Sequence, residues 1–164
     1  MELERKKTVK DSELFAAKKR EDIIEYARNQ WDLLSVEDDN LQRKCDRDLY
    51  TSILYNLEIR NVYLDPTITL VKFSHIVGTN TTYLSNVINR YFKCNLKQLI
   101  NKYRIEYAKY LLDYEHIPIS RLPKRCGFSS RSVFYASFKK VIGVTPLQYV
   151  ISSQEDESEI NNIF

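Results

Sequence analysis

Gly127-Phe128-Ser129-Ser130-Arg131-Ser132-Val133-Phe134-Tyr135-Ala136-Ser137-Phe138 decides the fold, because its pattern already stands earlier in the chain at Gly78-Thr79-Asn80-Thr81-Thr82-Tyr83-Leu84-Ser85-Asn86-Val87-Ile88. Apolar residues stand 8, 5 and 1 positions before each glycine: Leu70, Phe73 and Val77 in the first copy, Ile119, Leu122 and Cys126 in the second. After each glycine an apolar pair follows at helical spacing, Leu84 with Ile88 and Phe134 with Phe138. A short apolar helix, a glycine able to take positive φ and a second helix at a steep angle spell a helix-turn-helix. The second helix of such a unit fits the major groove of duplex DNA. Two copies predict a chain that reads two adjacent groove segments.

Outward from those copies, the spacing predicts an all-α chain. Thr69 is placed to cap a helix running to about Val77, and the turn Gly78-Thr79-Asn80 leads into a helix from about Thr81 to Phe92. A long amphipathic helix follows from about Leu96 to Asp113, its buried stripe read as Leu96, Leu99, Ile100, Tyr103, Tyr107, Ala108, Leu111 and Leu112. At ~1.5 Å per residue it is roughly 27 Å long, close to the ~34 Å between neighbouring major grooves on one side of DNA. It reads as a rigid spacer. The second unit runs from about Pro118 to Val141, and Gly143-Val144-Thr145-Pro146 stops it before a short last helix, Leu147 to Ile151.

Upstream, Leu64-Asp65-Pro66 reads as a boundary, since the residue before a proline is pushed out of the α region. Residues 1–64 are expected to form a helical N-terminal segment with a helix over 12–34, a break at Asp38-Asp39-Asn40 and a second helix from about Leu41 to Arg60. The first carries Trp31 on its apolar stripe and the second carries Leu41, Cys45, Leu49, Ile53 and Leu57. These stripes either pack on each other and on the domain at 65–151, or form a homodimer interface, or join a sensor acting through another chain. We take dimerisation as the working expectation. The segment 152–164 is expected to be an acidic flexible tail.

Charge is segregated along the 164 residues. Residues 1–64 hold 12 basic and 14 acidic side chains, residues 65–151 hold 13 and 4, and residues 152–164 hold none and 4. The basic block, the part able to neutralise phosphates, holds both helix-turn-helix units. No apolar run approaches the roughly 18–20 residues of a bilayer span, and Met-Glu-Leu-Glu-Arg-Lys-Lys is unlike a signal peptide. Cys45, Cys94 and Cys126 show neither disulfide arithmetic nor metal-ligand spacing, and His75 and His116 lie apart. No nucleophile–base pair, paired catalytic carboxylates or phosphate-cradling glycine loop is legible. The expectations are a cytoplasmic protein, no enzyme activity, no cofactor and no metal.

On the first recognition helix, Leu84, Val87 and Ile88 point inward with Tyr83 on the seam, leaving Thr81, Thr82, Ser85, Asn86 and Asn89 outward. On the second, Val133, Phe134 and Phe138 point inward, leaving Arg131, Ser132, Tyr135, Ala136 and Lys139 outward. An outward polar face is also what any solvated helix shows. Short neutral side chains are nonetheless odd on a helix that merely meets water.

Arg104-Ile105-Glu106-Tyr107-Ala108-Lys109-Tyr110-Leu111-Leu112 resembles the linker helix of AraC/XylS-type transcription regulators. So does the run from Gly127-Phe128 through Phe134, Phe138-Lys139-Lys140, Gly143-Val144-Thr145-Pro146 and Tyr149. The resemblance covers roughly Leu70 to Val150, and the wording Gly78-Thr79-Asn80 with Tyr83-Leu84-Ser85 and Val87-Ile88-Asn89 is similar to a Bacteroidetes branch. It implies a sequence-specific regulator whose partners are double-stranded DNA and RNA polymerase. By motif position, Thr82, Ser85, Asn86, Arg131, Ser132 and Tyr135 resemble base-contacting residues. Thr69, Asn89, Lys139 and Lys140 are assigned to phosphates, with Arg104 a further candidate or an internal ion-pair member. Two positions depart from the family pattern: Pro123 replaces a small residue, predicting a tilted or weakened second unit, and Lys93 replaces a helix-ending glycine. The family's usual β-barrel sensor has no counterpart in residues 1–64. Rival functions are a protein-interaction adaptor with a degenerate helix-turn-helix domain, and a non-specific architectural DNA-binding protein.

Overall fold

The computed structural model describes residues 41–161, with side chains placed over 44–153. The expected helix over 12–34, with Trp31, lies outside the described residues. The elements are α1 (Leu41–Glu58), a 3-10 turn (Val62–Leu64), α2 (Leu70–Ile76), α3 (Thr81–Phe92) and α4 (Leu96–Asp113), then a second 3-10 turn (Ile119–Arg121), α5 (Leu122–Arg125), α6 (Arg131–Ile142) and α7 (Pro146–Asn161). No strand occurs among the described residues.

Local chemistry sets the helix starts. The side chains of Thr69, Asn80, Asn95 and Ser130 each accept the backbone N–H three residues on, at Lys72, Tyr83, Gln98 and Val133. At α4 the cap is reciprocal, since the Gln98 side chain takes the Asn95 N–H. Thr145 and Gln148 repeat that arrangement at α7. The predicted limits of α3 and α4 are the observed ones. Lys93 ends α3 with φ 54°, a left-handed conformation that lysine adopts at modest cost.

Two apolar cores result. The first gathers Leu49, Ile53 and Leu57 of α1 with Phe73, Leu84, Val87, Ile88, Leu99 and Ile100. The second gathers Ile105, Ala108, Leu111 and Leu112 with Leu122, Cys126, Phe128, Phe134 and Phe138. Helix α4 serves both by burying two adjoining arcs, Leu99 and Ile100 near its start and Ile105, Ala108, Leu111 and Leu112 further on. A single straight stripe therefore omits Ile105, which is fully buried. It also omits Arg104.

Three expectations need correction. The Leu64-Asp65-Pro66 boundary does not separate α1 from the domain, because α1 buries Leu49, Ile53 and Leu57 in the first core, although Cys45 of the same stripe is exposed. Those leucines and Ile53 are used internally and are not available to a partner. Helix α7 continues to Asn161 instead of stopping at Ile151. After Pro146 no glycine or proline interrupts the run, and Gln154, Glu155 and Glu157 are good helix formers. Pro123 breaks no helical hydrogen bond, since it occupies the first turn of α5, where its missing N–H has no helical acceptor. Leu122 keeps α geometry (φ −58°, ψ −45°), and the Pro123 carbonyl accepts the Phe128 N–H at 2.8 Å.

Candidate nucleic-acid interface

The two turns share a spacing but are built differently. Gly78 has φ 73° and faces open space, so it answers only to backbone conformation. Gly127 has φ 77°, and a Cβ there would lie 2.6 Å from the Leu64 carbonyl oxygen. Glycine is required at Gly127 both by φ and by close approach of another backbone.

That approach belongs to a joint between the halves. Arg104, only 8% exposed, donates from Nε to the Tyr63 carbonyl at 2.6 Å and from Nη2 to the Asp65 carbonyl at 2.8 Å. Its guanidinium also lies over the Phe128 ring, 5.3 Å from the centroid. Arg104 is therefore committed to internal carbonyls, which corrects its candidacy for phosphate contact. Sequence reasoning missed this role because the partners are main-chain atoms some forty residues away, with no side-chain signal.

In the first unit, α3 buries Leu84, Val87 and Ile88, as its periodicity predicts. Thr82, Asn86 and Asn89 are exposed and Ser85 is half-buried. Thr69 is exposed at the start of α2, where its hydroxyl oxygen accepts the Lys72 N–H at 3.1 Å. Beside it the Lys72 ammonium pairs with Asp65. This pair and two hydrogen bonds from Thr67 hold the Asp65 carboxyl down at about 2.

The flank of α3 is held by a residue that the sequence did not single out. Asp46 of α1 is fully buried. One of its carboxylate oxygens accepts the Tyr83 hydroxyl at 2.6 Å. The other accepts Arg90 Nη1 at 2.7 Å and the Tyr91 hydroxyl at 2.8 Å. An aspartate three residues before Leu49 and seven before Ile53 shares the apolar face of α1, and that placement was the available signal.

In the second unit, α6 buries Phe134 and Phe138. Arg131, Ser132, Ala136, Lys139 and Lys140 are exposed, and Tyr135 is 37% exposed with its ring edge against Phe134. Val133 departs from expectation. It is 43% exposed, because it lies one residue off the Phe134–Phe138 line and falls on the flank beside Ser132 and Ala136. Its methyls add an apolar contact surface to the polar face. Each expected contact residue on α3 and α6 thus reaches solvent, Ser85 and Tyr135 being partly covered.

Among the described residues no helix is long and apolar enough to cross a membrane. Among them, too, no group of three or more His, Cys, Asp or Glu is arranged to hold a metal ion.

The family described as "Helix-turn-helix domain" matches residues 73–150. The Melibiose operon regulatory protein of Escherichia coli (strain K12) is 31% identical over 91 residues, covering 56% of this chain and 30% of that protein. The HTH-type transcriptional activator RhaR of Salmonella arizonae is 33% identical over 75 residues, covering 43% of this chain and 27% of its own. Both names belong to regulators and not to enzymes. The chain spans less than a third of the length of these curated relatives. Among solved structures, the C-terminal domain of AraT, a response regulator from Geobacillus stearothermophilus, superposes with TM-score 0.57 at 27% identity, covering 64% of this chain and 84% of that one.

Proposed function

From the premise that residues 73–150 are an AraC-type helix-turn-helix domain, we propose that the chain is a sequence-specific DNA-binding transcription regulator whose α3 and α6 enter two adjacent major-groove segments. One observation carries the reading: each second helix buries an apolar line, Leu84, Val87 and Ile88 on α3 and Phe134 and Phe138 on α6, and exposes short polar or basic side chains beside it. Thr82, Ser85 and Asn86 read bases from α3, with Asn86 able to bond adenine N6 and N7 together. Arg131, Ser132 and Tyr135 read from α6, where Arg131 grips guanine O6 and N7, and Val133 offers methyls to thymine. Thr69, Asn89, Lys139 and Lys140 meet phosphates. The exposure of Arg131, Asn86 and Lys139 favours this reading over an adaptor.

Selection of bound duplexes in vitro, followed by salt titration on the winner, tests the reading. Neutralising about six to ten phosphates gives a slope of log K against log[salt] of roughly −5 to −9. A flat slope, or equal affinity for all duplexes, removes it; the second result alone would favour an architectural DNA-binding protein. Arg131→Ala relaxes preference at one or two base pairs, at about 1–3 kcal/mol, whereas Lys139→Ala weakens all sequences alike. Equal losses from both variants on every duplex would overturn this division of roles.

The same reading includes regulation through RNA polymerase and a homodimer made by the N-terminal segment. Since α1 spends Leu49, Ile53 and Leu57 on the first core, the dimer contact falls to residues before 41 and to the exposed side of α1. Sedimentation of the full chain checks it, and a strict monomer at tens of micromolar removes the dimer.

A further inference from the structure

We propose that Asp46 is a positioning residue for DNA reading: from α1 it fixes the rotation of α3 about its own axis, and so sets which side chains of α3 face the groove. The inference rests on the reading of α3 as a groove-entering helix.

Tyr83 lies in the first turn of α3 and Tyr91 near its last residue, eight positions apart, about 12 Å along the axis. Both hydroxyls nevertheless converge on one carboxylate, with Arg90 as a third donor. A carboxylate that accepts from both ends of a helix restrains its roll as well as its distance, because turning α3 either way stretches one of the tyrosine bonds. Tyr83 sits on the seam between α3's buried line and its outer face, Tyr91 continues the buried line four residues after Val87, and Arg90 stands at the edge of the outer face with its side chain 60% exposed. Charge-assisted bonds of this kind are roughly twice as strong as neutral ones. Burial of Asp46 also leaves no water to replace a lost donor cheaply. Burial and the Asp46 carboxylate both push the Tyr83 and Tyr91 hydroxyls upward from the usual phenol range, so these groups stay protonated donors. Asp46 lies outside the matched residues 73–150. The restraint therefore comes from the N-terminal helix and not from the helix-turn-helix unit itself. No equivalent carboxylate grips α6 among the described residues, so α6 serves as an internal control.

The test is a Tyr83→Phe/Tyr91→Phe double variant, which removes two hydroxyls and almost no volume, alongside Asp46→Asn. Affinities are measured on the selected duplex and on single-base-pair variants of it, under α3 and under α6. Amide exchange along α3 and α6 is followed without DNA. Expected are faster exchange in α3, discrimination falling about tenfold at base pairs under α3, and discrimination under α6 held within about twofold. Equal losses under both helices would mean general destabilisation and overturn the assignment. So would unchanged discrimination under α3, or unchanged α3 exchange. Should Asp46→Asn fail to fold, the double variant decides alone. A wild-type chain that binds every duplex alike sinks the DNA reading and this assignment together, an outcome distinct from a specific wild type whose variants read normally.

Discussion

The first helix-turn-helix unit is gripped from outside and the second is wedged from within. In the first, α1 packs along α3 and its Asp46 receives three donors from it, while a Cβ added at the turn glycine, Gly78, would meet open space. In the second, α6 rests on α4 and α7, and the turn glycine is pressed against the backbone of Leu64. Identical spacing of apolar residues therefore does not mean identical restraint. One recognition helix is set by a side-chain network and the other by close contact of two main chains.

The sharpest way to break this comparison is to place alanine at each glycine. Gly78→Ala should cost only the left-handed conformation, about 1–2 kcal/mol. Gly127→Ala should cost that plus forced separation from Leu64, a further ~1–3 kcal/mol. Chemical denaturation measures both, and equal costs would mean that the Leu64 contact yields freely. Next in size is Arg104→Met, which keeps the stem but strands the Tyr63 and Asp65 carbonyls, for a loss of about 2 kcal/mol. If denaturation of that variant matches wild type, the joint is not held by Arg104.

Smaller effects come from pH. Burial pushes the Cys126 thiol from its usual 9.0 up to about 12, and burial with the Asp113 carboxylate pushes the Tyr149 hydroxyl from 10.0 up to about 12. The fold favours the neutral form of each group. Their contribution is thus complete below about pH 9 and is lost as pH rises toward 12. Melting temperatures should be level through neutral pH and fall across that alkaline window. Alkylation of Cys126 should follow the opening of the second core, while exposed Cys45 reacts at once. The smallest change belongs to the first half. Asp65 is held at about 2, so its contribution is present above its usual 3.8 and is lost as pH falls through 2. The pair is solvent-exposed, so Asp65→Asn should shift stability by only a few tenths of a kcal/mol. A larger shift would show that Asp65 does more than hold Lys72 and Thr67.

Sequence carried the parts of this molecule that depend on near neighbours. The turn Gly78-Thr79-Asn80 and the apolar spacing from Leu96 are local signals, and they placed α3 and α4 correctly. Leu84, Val87, Ile88, Phe134 and Phe138 were readable as core because each obeys helical spacing on its own element. What depended on distant partners was not readable. Arg104 reads as a phosphate contact or an internal ion-pair member because nothing near it in the chain says that two carbonyls wait for it. Ile105 was passed over because one helix feeds two cores and its buried arc changes direction. Val133 was placed inside on residue type alone, whereas the Phe134–Phe138 line leaves it on the flank. Asp46 read as one more charge in an acidic segment, and only the convergence of Tyr83, Arg90 and Tyr91 shows otherwise.

The loop from Tyr63 to Asp65 has a consequence for how such a chain can vary in length. Surface connections usually tolerate added or deleted residues, but here three successive carbonyls are spoken for, two by Arg104 and one by the close fit against Gly127. A single residue inserted between Val62 and Pro66 would slide the whole set out of register. Natural variants of this chain should accept insertions after Asp113, where the connection runs through exposed Tyr114, Glu115 and His116, and refuse them in this loop.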